Sequence, residues 1–167
     1  MSMHELAGKN LKQQKRQRLI VDEGFLAQQF GDQAADGMVE IFRDPEMGFV
    51  VLAYNMNAPR VSPPHDHGRS WAAYGQVAAH TDMTVWQRSD DAREAGHAKL
   101  TVAKQYRLKP GQAGLYQPGD IHSIDYPAGA RFVRITGTDM AAETRQIFDP
   151  GSDSVRVVEH VGTGEKS

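Results

Sequence analysis

Hydrophobic and polar positions follow two different rhythms along this chain. In residues 1–35 the apolar positions Leu11, Leu19, Ile20, Phe25, Leu26 and Phe30 form a loose helical stripe, and Gly24 and Gly31 are expected to break it into short helices. From residue 38 the period shortens. Met38-Val39-Glu40-Ile41-Phe42 predicts a strand, Asp44-Pro45-Glu46-Met47-Gly48 a turn, and Phe49-Val50-Val51-Leu52-Ala53-Tyr54 an apolar strand. A loop rich in Asn and Pro covers residues 55–64. Residues 71–75 and 77–88 predict strands, with a turn near His80-Thr81-Asp82, and residues 89–97 a polar surface loop. Leu100, Val102 and Tyr106 alternate with polar neighbours across 99–108, and residues 113–116 predict a short strand. Pro118-Gly119 carries a type II turn signature, since Pro fixes φ at the first corner and Gly accepts positive φ at the second. His122, Ile124 and Tyr126 alternate as a strand, and residues 131–136, 146–148 and 155–158 supply the last ones.

Many short strands separated by Gly/Pro turns point to a sandwich or barrel. The expected organisation is an N-terminal helical extension over 1–36 packed outside, a mainly β barrel over 37–160, and a disordered tail over 161–167.

Composition narrows the chemistry. The chain has 167 residues, enough for one domain with a real core, and a formal net charge of −2. Nothing global suggests nucleic acid or a membrane surface. The basic start (Lys9, Lys12, Lys15, Arg16, Arg18) is expected to be a solvated helix face. There are no cysteines, which excludes disulfides, thiolate nucleophiles and Cys-bound zinc or iron–sulfur sites. No apolar run approaches the roughly 18 residues of a membrane span. The basic N-terminus lacks the apolar stretch of a signal peptide, so a cytoplasmic location is expected.

The stretch Pro63-Pro64-His65-Asp66-His67-Gly68-Arg69-Ser70-Trp71 carries the candidate chemistry. Two histidines one residue apart cannot share a helix face, but on a strand they point the same way. Two imidazoles on one strand face make a metal pincer, and His122 follows in Gln117-Pro118-Gly119-Asp120-Ile121-His122. The strands between are expected to return His122 to the pair. Asp66 faces away from its neighbours on an ideal strand, which gives it a structural role. His4, His80, His97 and His160 have no such context and are expected at the surface.

These two blocks resemble the two motifs of the cupin superfamily, a His-x-His followed by Glu and Gly, and a Pro-x-Gly-x-x-His, here slightly contracted as Pro118-Gly119-Asp120-Ile121-His122. The resemblance covers about residues 38–158 and implies a double-stranded β-helix, or jelly-roll barrel. Where the first motif places its Glu, this chain has Trp71, Ala72 and Ala73. The implied ligand set is therefore three neutral histidines: His65, His67 and His122. That set is similar to the thiol dioxygenase branch, which includes cysteine dioxygenase and mercaptopropionate dioxygenase and uses ferrous iron. Some of those enzymes cross-link a Cys near position 72 to a Tyr, and Ala72 forbids this here. Their Ser-x-His-x-Tyr run aligns with Phe132, Arg134 and Thr136, so its His and Tyr are missing. Arg43 or, if it points into the barrel, Arg134 would bind a substrate carboxylate.

The resemblance implies a mononuclear iron(II) dioxygenase that oxidises a small thiol- or carboxylate-bearing substrate with O₂. Three neutral imidazoles leave a divalent charge uncompensated, which favours an anionic substrate. Tyr74 and Gln76 lie on the face set by Ala72; Tyr74 either donates to substrate or is a core aromatic with its hydroxyl at the rim. Trp71 is read either as barrel packing or as a substrate contact, and Trp86 as packing. The alternatives are a non-oxidative isomerase or lyase using nickel, manganese or zinc as Lewis acid, and a small-molecule sensor or binding module. Cupin relatives are often dimers, so a homodimer is an expectation of the resemblance.

Overall fold

The computed structural model describes residues 21–159. Helix α1, Glu23–Phe30, begins where the Asp22 carboxylate accepts the Phe25 N–H at 2.8 Å. Gly24 therefore sits inside the first turn and does not break the helix, while Gly31 follows its last residue. The basic run, His4, His160 and the tail over 161–167 lie outside the described residues.

Eleven strands follow among the described residues: β1 Gly37–Arg43, β2 Val50–Met56, β3 Arg60–Val61, β4 Ala72–Ala78, β5 Thr81–Arg88, β6 Leu100–Leu108, β7 Ala113–Tyr116, β8 Ile121–Tyr126, β9 Ala130–Thr136, β10 Arg145–Asp149 and β11 Ser154–Val158. A five-stranded sheet runs β1-β2-β9-β4-β7 and a four-stranded sheet β3-β8-β5-β6, all antiparallel. A two-stranded ladder β10-β11 completes the set. This is the mainly β architecture expected from the alternating runs, in the jelly-roll form that the resemblance implied.

Alternation divides the strands cleanly between inside and outside. Ala72 and Tyr74 of β4, Met83 of β5, Tyr126 of β8 and Phe132 of β9 meet in the interior core with Tyr116 and Leu108. Their odd neighbours Val51, Val133 and Ile135 face outward and are covered by Phe25 and Phe30 of α1. That cover explains why β2 reads as a continuous apolar run: Val50 to Ala53 are buried on both faces of the sheet. A third cluster joins Trp86, Ile121 and Phe148 outside the four-stranded sheet.

Three local expectations change. The β4–β5 turn is Ala79-His80, with Ala79 at φ +52, so His80 lies in the turn as expected while Thr81 and Asp82 already belong to β5. The Asn/Pro loop contains the short strand β3. The His65–His67 segment is not part of a named strand; it is an extended stretch held by isolated bridges from His65 to His122 and to Ile147. Pro63-Pro64 explains this, because neither residue has an N–H for the ladder. Pairing of Arg60 with Tyr126 and Val61 with Asp125 continues as Ser62 N–H donates to Ile124, then slips by one residue before His65 meets His122.

Candidate metal centre

His65 and His122 exchange both backbone hydrogen bonds, at 2.9 and 3.0 Å, so the two histidine-bearing segments are stapled directly to each other. The Gly119 N–H donates to the Gly68 carbonyl at 3.1 Å and adds a second staple one turn away. Gly68 has φ +59, and a Cβ there would overlap the Thr144 carbonyl oxygen, so this turn needs glycine. Asp66 is buried with its carboxylate accepting the Gly68 N–H at 3.1 Å and the Gln146 N–H at 2.8 Å. It holds the loop and the start of β10 in place.

These restraints bring a nitrogen from each of His65, His67 and His122 to within 4.8 Å of one another. The ring centroids lie 4.7 to 5.4 Å apart. The His65 Nδ1–H donates to the Pro63 carbonyl at 2.9 Å, which leaves Nε2 as its free lone pair. Burial pushes all three imidazoles below their ordinary range, His67 to about 3 and His122 well down, with Arg134 adding to the effect at each. They are neutral at pH 7, the state a metal requires. His67 and His122 are almost completely buried, and their Nδ1 atoms have no hydrogen-bond partner among the described residues. Three neutral imidazoles converging without a carboxylate fit a divalent first-row ion. Iron, nickel, manganese and zinc are all compatible with that donor set.

Tyr74 reaches the same point from β4. Its hydroxyl lies 3.4 Å from His67 Nε2 and 3.2 Å from His122 Nε2. Tyr116 stacks on the His122 ring at 4.0 Å and shares a 2.8 Å hydroxyl contact with Tyr106. Burial raises the Tyr74 phenol above its ordinary range, against the opposing pull of the Arg134 guanidinium.

A cavity of about 190 Å³ opens at His65 and Tyr74. Tyr54 and Phe132, stacked at 4.5 Å, form an apolar wall. Arg60, Arg134 and Arg145 also line it, and no carboxylate does among the described residues. Arg134 lies over the Tyr54 ring at 5.3 Å, and its buried Nε has no hydrogen-bond partner among the described residues. Two larger grooves, of about 640 and 600 Å³, lie around Val61, Trp86 and Ser123 and contain no histidine.

Of the sequence-predicted substrate contacts, Arg134 alone lines this cavity. Arg43 is exposed on β1 and bonded to Glu40 and to Asp139, at 2.7 and 2.8 Å, because the edge strand turns it to solvent. The Gln76 amide faces inward but donates to the Ala78 carbonyl and accepts from the Thr81 hydroxyl, both at 2.8 Å. Trp71 precedes β4, and its indole lies against Gly137, where a Cβ would come within 2.5 Å of Nε1. Trp86 packs as expected, its Nε1–H on the Ser123 hydroxyl at 2.9 Å. His80 and His97 are partly buried; His80 lies 4.0 Å from Asp82, and His97 bridges Ser154.

Sequence reasoning missed Arg60, Arg145 and Tyr116. Arg145 shares a strand face with Ile147, and alternation along β10 would have paired them had the strand been started one residue earlier. Tyr116 precedes Pro118 by two residues, and alternation would have placed it on the inner face of β7.

No protein-family model matches the chain, and no curated protein matches it. Solved structures do. The cupin domain of Schizosaccharomyces pombe Cnp3 is similar with a TM-score of 0.46 and 15% identity, over 61% of this chain and 64% of that one. KdgF from Halomonas sp. is similar with a TM-score of 0.46 and 13% identity, over 59% and 74%. The DMSP lyase DddQ from Ruegeria pomeroyi DSS-3 gives 0.42 and 12%, over 60% and 45%. The chain thus spans less than two thirds of the Cnp3 domain and of DddQ. No described helix is long and apolar enough to cross a membrane.

Proposed function

We propose that this protein is a mononuclear, iron(II)-dependent oxygenase of a small anionic substrate, with His65, His67 and His122 holding the metal. One observation carries the reading. A cluster of three neutral histidines meets, through His65, a cavity whose charged lining is Arg60, Arg134 and Arg145, with no acidic residue in the lining among the described residues. When bound, the ion would supply Lewis acidity and, as iron, a redox couple that can engage O₂. The residues do the rest. Arg134 lines the cavity, and its guanidinium is the donor a carboxylate would take. Arg145 adds positive charge from the His65 side, and Arg60 stands at the exposed rim, where it would draw an anion in. Tyr54 and Phe132 exclude water from the apolar part of the substrate. A site of this size suits a metabolite of a few carbons.

The test is oxygen consumption by the iron(II)-loaded protein against a panel of small thiols, keto acids and hydroxy acids, with Arg134→Gln as control. Substrate-dependent oxygen uptake that falls about tenfold or more in the variant supports the reading. A non-oxidative Lewis-acid enzyme is favoured by one specific feature, a buried phenol at the metal-facing edge of two histidines, placed to move a proton. Turnover without oxygen uptake, supported by zinc, nickel or manganese, would select it.

A further inference from the structure

Tyr74 raises a question of hydrogen-bond accounting. A neutral phenol has one proton to give and a lone pair to receive. The Tyr74 hydroxyl is 2% exposed as a residue and contacts His67 Nε2 and His122 Nε2. Its other polar neighbour is Arg134, whose guanidinium can only donate. The phenol proton therefore goes to an imidazole lone pair. His65 already commits Nδ1 to Pro63, so its ligand atom is Nε2, and the Nε2 edges of His67 and His122 turn to the same interior point. Once those lone pairs are taken by a metal, the phenol proton has no acceptor left among the described residues, and a buried oxygen would stand against the ion with Arg134 as its donor.

The distances describe how the conflict resolves. Two donors bound to one ion at about 2.0–2.1 Å lie about 3.4 Å apart in a tetrahedron and about 2.9 Å apart when cis in an octahedron. The Tyr74 oxygen is 3.4 and 3.2 Å from the two imidazole nitrogens. It already occupies the spacing of a fellow ligand.

We infer that Tyr74 is a fourth metal ligand, bound through its phenolate oxygen, so that the centre is a three-histidine, one-tyrosine site. The phenol proton leaves to solvent as the ion enters, and the O–metal bond takes the place of the two hydrogen bonds to histidine. Arg134 stabilises the oxygen by donation. The single negative charge restores part of what the missing carboxylate would have supplied. This inference rests on the metal reading above and deepens it.

The experiment loads the full-length protein with zinc or with iron and reads metal content, ultraviolet difference spectra and visible spectra. Zinc is expected to bind stoichiometrically with a tyrosinate difference signal. Iron oxidised in air is expected to show a visible phenolate-to-iron charge-transfer band. Tyr74→Phe keeps the ring, should bind metal at least about tenfold more weakly, and should lose both signals. Tyr106→Phe, a tyrosine outside the cavity lining, should keep both. Stoichiometric metal without either signal in the wild type would overturn the inference and leave the three-histidine site standing, with Tyr74 free to act on substrate. Failure of the wild type to retain any metal would overturn the metal reading itself. The wild-type spectra decide even where a variant does not fold.

Discussion

Strand β4 carries two buried polar side chains two residues apart, and they behave in opposite ways. Gln76 is 1% exposed, and both ends of its amide are used, one on the Ala78 carbonyl and one on the Thr81 hydroxyl. Tyr74 is 2% exposed, and its hydroxyl meets two imidazoles whose Nδ1 atoms have no hydrogen-bond partner among the described residues, beside an arginine whose Nε has none among them either. The same barrel interior thus closes one polar group completely and leaves the neighbouring set open. Buried polar groups are hydrogen-bonded in nearly all folded proteins, so a cluster of exceptions marks a place built for something else. Gln76 is architecture; the Tyr74 set is the candidate site.

The sharpest way to break this comparison is to remove one member from each side. His122→Ala should lower metal affinity by about a hundredfold or more, since losing a ligand exceeds the 10–100-fold typical of its supporting partners. Elemental analysis after dialysis reads this directly. Gln76→Leu should do the reverse. It leaves the Thr81 hydroxyl and the Ala78 carbonyl without their partner, at a cost of about 1–3 kcal/mol in urea unfolding, while metal stoichiometry stays at the wild-type value. Metal loss in Gln76→Leu would mean that the two regions are one network and that the division drawn here is false.

The next effect is smaller and depends on pH. Each of the three imidazoles has a folded pKa below the ordinary 6.5. Below pH 6.5 the unfolded chain binds protons that the folded chain refuses, so stability falls as pH falls, until the folded groups titrate as well. For His67 that window runs from 6.5 down to about 3. Each histidine contributes a slope of up to about 1.4 kcal/mol per pH unit. Denaturant midpoints of the metal-free protein from pH 7 to 5 should decline accordingly, and His67→Gln should flatten the decline by about one histidine. A stability that rises on acidification would show that the imidazoles gain partners when protonated.

Legibility differed between the same two regions. Tyr74, Gln76 and Ala72 could be placed on one face by alternation alone, because the strand is regular from Ala72 to Gln76, before the irregularity that follows it, and the period of two admits no other arrangement there. The histidines could be grouped by type and order, but not their backbone. Two consecutive prolines replace a ladder with isolated bridges, and only the long-range pairing with β8 and β10 shows how His65 is held. Arg145 was hidden for a related reason. It enters the cavity from the ladder formed by β10 and β11, far along the chain from both motifs, and a charged residue at a strand start reads as surface until the fold closes over it.

The smallest expected effect concerns Arg43, which sequence order had offered as a substrate anchor. The structure gives its charge two other occupants. Glu40 and Asp139 hold the guanidinium through three contacts of 2.7 to 3.0 Å on the exposed edge strand β1. An arginine whose donors are already committed to carboxylates in solvent has little left for a substrate, and exposed pairs of this kind add little to stability. Arg43→Ala should therefore leave metal content unchanged and substrate affinity within about twofold, with only a small shift in the unfolding midpoint. Arg134→Ala, measured beside it, should weaken binding of a carboxylate-bearing ligand by about tenfold or more, because it removes a donor from inside the cavity, where the screening that weakens surface charges is reduced. If Arg43→Ala produced the larger loss, the anion-binding end of the site would have to lie on the outer edge of the five-stranded sheet, and the cavity between the arginines would not be where the substrate sits.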